Sequence, residues 1–205
     1  AAGVALVKFV DRTYNLDENY YLPIMQHLAE AETNATFHFE IKADLLTENV
    51  LNFLKTVPKG RFQFEIGVQT TNAATLKAIN RRDNWDKLTA NVKRLLSYWN
   101  IHLHLDLIAG LPYEGMAEFE KSFNDVYGLQ PDMLQLGFLK VLPGTAMEKQ
   151  RFEHELRYMD EPPYEILSTK YMPYCALRFL KVLEDVFEHT YNSGRFVYTL
   201  KYLTE

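Results

Sequence analysis

A single cysteine, Cys175, is all that the 205 residues carry. An internal disulfide is thereby excluded, and so is a metal site built only from cysteines of this sequence. Lys and Arg never gather into a stripe suited to phosphates. The strongest cluster, Arg81-Arg82, is followed at once by Asp83, and the formal net charge is -5. No clear nucleic-acid surface follows from such a charge pattern. No apolar run is long enough to span a bilayer as a helix, so no membrane partner is expected and a cytoplasmic setting is the default. A phosphate-cradling glycine loop and a supported Ser-His-Asp set are also missing. What remains is 47% hydrophobic and 24% charged, an ordinary globular composition. The length allows one sizeable core and a small appendage.

Against these absences stands a repeated pattern of strand followed by helix. Strands are predicted over 4–11, 37–43, 61–69, 101–109 and 133–141. The intervening helices fall near 17–32, after the capping residue Thr47, over 73–80 and 86–99, and over 116–127. Gly144-Thr145 opens another helix. Strand starts recur at roughly 25 to 40 residues, about the length of one βα unit, which predicts parallel strands. A second region begins after Gln150. Glu161-Pro-Pro-Tyr164 reads as a punctuated linker. Leu177, Leu180, Leu183 and Phe187 give a helix over 173–189 its core-facing stripe. The expected division is a barrel over 1–152 and a helical extension over 153–205.

Parallel strands covered on both faces read as unbroken apolar runs. Here they alternate instead. Phe62, Phe64, Ile66 and Val68 oppose Gln63, Glu65, Gly67 and Gln69, while Leu103, Leu105 and Leu107 oppose His102, His104 and Asp106. On the second strand, His38, Glu40 and Lys42 share the polar side. Leaving such carboxylates buried and unpaired costs several kcal/mol or more. A partial TIM-like (β/α) barrel, whose lumen holds a polar ligand, accommodates them better than an open doubly wound sheet. An antiparallel sheet with one wet face is the plainer alternative. His102 and His104 have the i, i+2 spacing of two metal ligands on a strand. Without a third ligand they read as hydrogen-bonded lumen residues, and no metal site is assigned.

Four segments, in this order, carry a resemblance: Phe64-Glu-Ile-Gly-Val-Gln69, Leu76-Lys-Ala-Ile-Asn-Arg81, Leu105-Asp-Leu-Ile-Ala-Gly-Leu-Pro112 and Val141-Leu-Pro-Gly-Thr145. Together they resemble the radical S-adenosylmethionine (SAM) superfamily, in the branch of oxygen-independent coproporphyrinogen oxidase, the tRNA methylthiotransferases and the elongator catalytic subunit. Phe9-Val-Asp-Arg-Thr13 and Tyr191-Asn-Ser-Gly-Arg-Phe196 are similar to a subgroup with an N-terminal cobalamin-binding domain. The resemblance implies SAM as ligand, with Glu40, Gln69, Arg81, Asp106, Ile108 and Lys140 at cofactor-binding positions. Arg12, Lys42, Glu65 and His104 would line the lumen or meet substrate. A guanidinium suits the carboxylate of SAM through paired hydrogen bonds, and carboxylates suit its cationic parts. No catalytic residue is assigned.

One departure from the family is decisive. Its [4Fe-4S] cluster is held by a Cys-x3-Cys-x2-Cys motif after the first barrel strand, and that motif is absent here. Iron–sulfur clusters need thiolate ligands, so these residues cannot hold one by themselves. The expectation is a truncated barrel, five βα units where the family has six, whose full-length parent carries the cluster and reductively cleaves SAM. A cobalamin domain in that parent would imply a methyltransferase or a rearrangement enzyme. The alternatives are a degenerate, non-catalytic small-molecule-binding barrel, and a metal-dependent hydrolase using His102, His104 and Asp106. The first strand would also form an uncovered edge, through which copies are expected to pair in a crystal.

Overall fold

The computed structural model describes residues 3–204. Five strands form one parallel sheet, β1 (Leu6–Lys8), β2 (Thr36–Ile41), β3 (Phe62–Gln69), β4 (His102–Ala109) and β5 (Met133–Phe138), in the order β1-β2-β3-β4-β5. The helices between them are α1 (Glu18–Glu30), α2 (Glu48–Leu54), α3 (Ala73–Ala78), α4 (Trp85–Leu96) and α5 (Met116–Tyr127). The order never reverses. When every crossover is right-handed and each new strand is added on the same edge, all the helices fall on one face of the sheet. A doubly wound sheet reverses its order and is covered twice. The fold is thus α/β, the partial barrel expected from the strand pattern.

Burial follows from that winding. Along β3, Phe62, Phe64 and Ile66 are fully buried and Val68 is 2% exposed, while Gln63, Glu65, Gly67 and Gln69 are half-buried. β4 repeats the alternation, with Leu103, Leu105 and Leu107 fully buried. On β3 and β4 one face carries the core, and the other stays largely polar and half-open.

The chain divides into two compact units. The first comprises residues through Val68, Asp83–Leu105 and Leu129–Asp132; the second comprises Gln69–Arg82, Asp106–Gly128 and the chain from Met133 onward. In the first, Phe39 packs edge-on against Phe62 with ring centroids 5.3 Å apart and stacks on Phe9 at 4.7 Å. Asn91 and Asn100, both buried, donate to backbone carbonyls at the ends of neighbouring helical turns. Asn91 reaches Ala43 (2.8 Å) and Leu46 (3.3 Å), and Asn100 reaches Leu54 (2.8 Å) and Val57 (2.7 Å). The expected cap at Thr47 is present, its hydroxyl accepting from Val50 N–H at 3.3 Å.

The second unit adds α6 (Ala146–Lys149), a small antiparallel pair β6 (Arg157–Tyr158) and β7 (Ile166–Ser168), then α7 (Tyr174–Phe187) and α8 (Val197–Thr204). β6 and β7 are not anticipated by the sequence pattern. A π-turn over Glu188–Asn192 extends α7, and Asn192 ties it to β5, accepting from Leu134 N–H at 3.1 Å and donating to Leu134 O at 3.0 Å. The fifth strand ends at Phe138, short of the predicted Val141. Lys140 has left the sheet there to form an antiparallel bridge with Glu165.

Candidate functional site

In the first unit the polar face centres on β2 and β3. Their register sets Glu40 directly beside Glu65, and His38 beside Gln63. His38, only 3% exposed, reaches across with Nε2 to Glu65 Oε2 at 3.0 Å. Gln63 Nε2 lies 2.6 Å from His104 Nε2 on β4, a contact that requires an unprotonated ring nitrogen as acceptor. The environment favours that form. Burial above all, helped by the neighbouring His102 and His38, lowers the His104 pKa from 6.5 to about 4, against a smaller opposing pull from Glu65 and Asp132. His104 is therefore a neutral hydrogen-bonding group at physiological pH. Lys42, just beyond β2, pairs at 2.5 Å with Asp83, whose side chain is 7% exposed. Asn15 locks the Lys42 backbone from both sides at 2.9 Å. Arg12 is exposed.

In the second unit this face of β4 continues as the carboxylate of Asp106 and the aliphatic Ile108, both half-buried. Gly137 on β5 keeps the space beside Ile108 open. A Cβ there would sit 3.3 Å from Leu107 O and 3.7 Å from Ile108 Cγ1. Gln69 ends β3 with φ 68, a left-handed conformation uncommon outside glycine, and it turns the chain towards α3. Arg81 is half-buried, and its backbone N–H closes the turn after α3 onto Leu76 O at 2.8 Å. Lys140 is exposed. A cleft of about 650 Å³ opens where the chain leaves β5, with Val141, Pro143, Arg151, Phe152 and Tyr164 among its walls.

Sequence reasoning missed Glu114, the fully buried residue that anchors the strand-end turn after Gln69. Its Oε1 accepts from the Thr70 hydroxyl, in a very short contact, and from Ser122 Oγ at 3.2 Å. Ser122 in turn accepts from Thr71 N–H at 3.0 Å. Glu114 Oε2 has no partner among the described residues. Burial raises the Glu114 pKa from 4.5 to about 7, the Thr70 and Ser122 hydrogen bonds pulling the other way and Glu118 adding to the rise. The carboxyl holds Thr70, and Thr70 follows Gln69, so Glu114 is a positioning residue for the end of β3. Only its place after Gly110-Leu-Pro112 hinted at this.

The donor set fits SAM. In the second unit, the amide of Gln69, the guanidinium of Arg81, the carboxylate of Asp106 and the aliphatic Ile108 beside the gap at Gly137 match the hydroxyl, carboxylate, cationic and aromatic parts of that molecule. It does not fit a [4Fe-4S] cluster, because Cys175 is the one cysteine and sits exposed at the start of α7. Among the described residues there is also no group of three or more His, Cys, Asp or Glu arranged to hold a metal ion.

This sheet and polar face define an α/β protein of the partial-barrel class. Residues 7–126, more than half of the chain, match the radical SAM superfamily, and the chain belongs to it. Residues 152–205 match a family described as "Protein of unknown function (DUF4080)". The oxygen-independent coproporphyrinogen-III oxidase-like protein HemZ of Bacillus subtilis is 26% identical over 152 residues, covering 71% of this chain and 30% of its own. Among solved structures, coproporphyrinogen III oxidase (HemN) from Escherichia coli, a radical SAM enzyme, matches 85% of this chain and 37% of its own with a TM-score of 0.59 and 21% identity. The radical SAM methyltransferase TsrM from Kitasatospora setae, solved with cobalamin and a [4Fe-4S] cluster, matches 92% of this chain and 45% of its own, with a TM-score of 0.68 and 13% identity. The chain spans about a third of the length of the curated relative, 30%.

Proposed function

We propose that these residues form the SAM-binding portion of a radical SAM enzyme whose full-length chain holds a [4Fe-4S] cluster through thiolates that this sequence does not contain. In that full-length chain a reduced cluster would supply the one electron that splits SAM into methionine and a 5′-deoxyadenosyl radical, and the radical would take a hydrogen atom from the substrate. The observation that carries this reading is the half-open polar face of the strands, left uncovered by a sheet whose order never reverses.

Each residue here has work of binding and orientation. Asp106 accepts from the ammonium or ribose hydroxyls of SAM, and Arg81 clamps its carboxylate. Gln69, fixed in its left-handed turn by the Glu114–Thr70 contact, presents its amide at the strand end. Ile108, beside Gly137, packs on the adenine. Glu40 and Glu65 make their part of the face acidic, complementary to a sulfonium. Lys140 contributes through its backbone at the exit of β5. Arg12, Lys42 and His104 belong to the lumen or substrate side of the same reading.

Binding of SAM to the full-length protein, measured by titration calorimetry, tests the assignment. Asp106→Asn and Arg81→Ala each remove a charge-assisted hydrogen bond and are expected to weaken binding by roughly 10- to 100-fold. Unchanged affinity in both variants would overturn it. Cobalamin is part of the same proposal, as the cofactor of a further domain in the full-length chain. The resemblance at Phe9–Thr13 and Tyr191–Phe196 supports it. Protein refolded with hydroxocobalamin and then desalted should keep the corrinoid absorption bands, and a colourless product would remove cobalamin from the account.

A further inference from the structure

Helix α7 is apolar on two sides. Its inner stripe is buried, Leu177 at 3%, Leu180 at 2% and Phe187 at 9% exposure. Its outer side carries Phe179, Val182 and Val186, exposed at 59%, 59% and 51%, and the exposed Cys175 continues the row. The outward side of a helix on a globular protein is ordinarily polar. Positions 175, 179, 182 and 186 are spaced four, three and four apart, the a/d repeat by which two helices interlock. The charges beside the row are sorted by sign. Arg178 flanks its N-terminal half, and Asp185 flanks its C-terminal half on the same side, two turns later.

We propose that this face pairs antiparallel with α7 of a second copy of the chain, about a two-fold axis lying between Phe179 and Val182. In that register, Phe179 of each copy packs on Val182 of the other, and Cys175 packs on Val186. The same register brings Arg178 of each copy to Asp185 of the other, twice over by symmetry. The two conditions are independent, yet one register meets both. A parallel pairing would leave Arg178 and Asp185 of the two copies on opposite sides of the seam, with no opposite charge to meet. The interface is isologous and closes at two copies.

The test is sedimentation equilibrium of the full-length protein. One helix pair is a small interface, so a reversible dimer with a Kd on the order of 10 μM is expected. Arg178→Asp and Asp185→Arg should each weaken it by ~10-fold or more, because each creates two like-charge contacts. The double exchange, Arg178→Asp with Asp185→Arg, should restore the Kd to within ~3-fold, the coupling that neighbouring sites show. Val186→Cys should give a covalent dimer through Cys175 under mild oxidation. The wild type should not, because its two Cys175 lie roughly 16 Å apart along the helices, beyond disulfide reach. A wild-type monomer at 100-fold this concentration would overturn the proposal, whether another segment or another protein covers α7. A dimer indifferent to the single exchanges, as pairing through the β1 edge would be, would overturn it as well.

Discussion

His104 in the first unit and Glu114 in the second meet the same physical pressure with opposite results. Each is held away from water mainly by burial, and each is driven towards its neutral form. For the imidazole that means a pKa lowered to about 4, and for the carboxyl a pKa raised to about 7. The partners differ as well. His104 faces a neutral amide, Gln63, whereas Glu114 receives two hydroxyls that oppose the shift without cancelling it. Desolvation sets the direction, and local hydrogen bonds set how far it goes.

The comparison can be broken most severely at Glu114. Glu114→Ala empties a fully buried site and strands the Thr70 and Ser122 hydroxyls. A loss of about 4 kcal/mol is expected in urea unfolding at pH 6, from the cavity and the orphaned donors together. A loss under 1 kcal/mol would mean that the network contributes little.

The pH dependence is the next largest effect. An acid with a raised folded pKa is stabilised by folding in its protonated form. That contribution is complete below about 4.5 and is lost as pH rises through about 7. Between pH 5 and 8.5 the protein should lose on the order of 3 kcal/mol, and Glu114→Gln should flatten that limb. His104 gives the opposite limb. A base with a lowered folded pKa contributes stability that is complete above 6.5 and is lost as pH falls through about 4. Because the ring is partly solvated, the expected loss is smaller, ~1 kcal/mol after allowing for screening. His104→Asn should remove it while leaving the basic limb intact. If both variants changed the same limb, the contrast between the two residues would fail.

Much of this was legible in the sequence where local chemistry decides. The α5 boundaries at Met116 and Tyr127, the Thr47 cap and the alternation of β3 each follow from residues adjacent in the chain. What escaped depends on distant partners. His38 reads as an open polar residue, yet its contact with Glu65, 27 residues away, buries it. Glu114 looks like a loop carboxylate until Thr70, 44 residues earlier, is brought beside it. β5 stops at Phe138 and Lys140 beyond it bridges Glu165, a distant partner, while the short β6–β7 pair is too brief for any period to show. The SAM positions were reached by family resemblance rather than by alternation, which marked only a polar face.

The most direct measurement is turnover of SAM. The full-length protein, reconstituted anaerobically with iron and sulfide and then reduced, should convert SAM to 5′-deoxyadenosine, detected by chromatography. Asp106→Asn should lower the yield at limiting SAM. A reconstituted protein that binds its cluster and SAM yet forms no 5′-deoxyadenosine would contradict the enzymatic account and leave a binding barrel in its place.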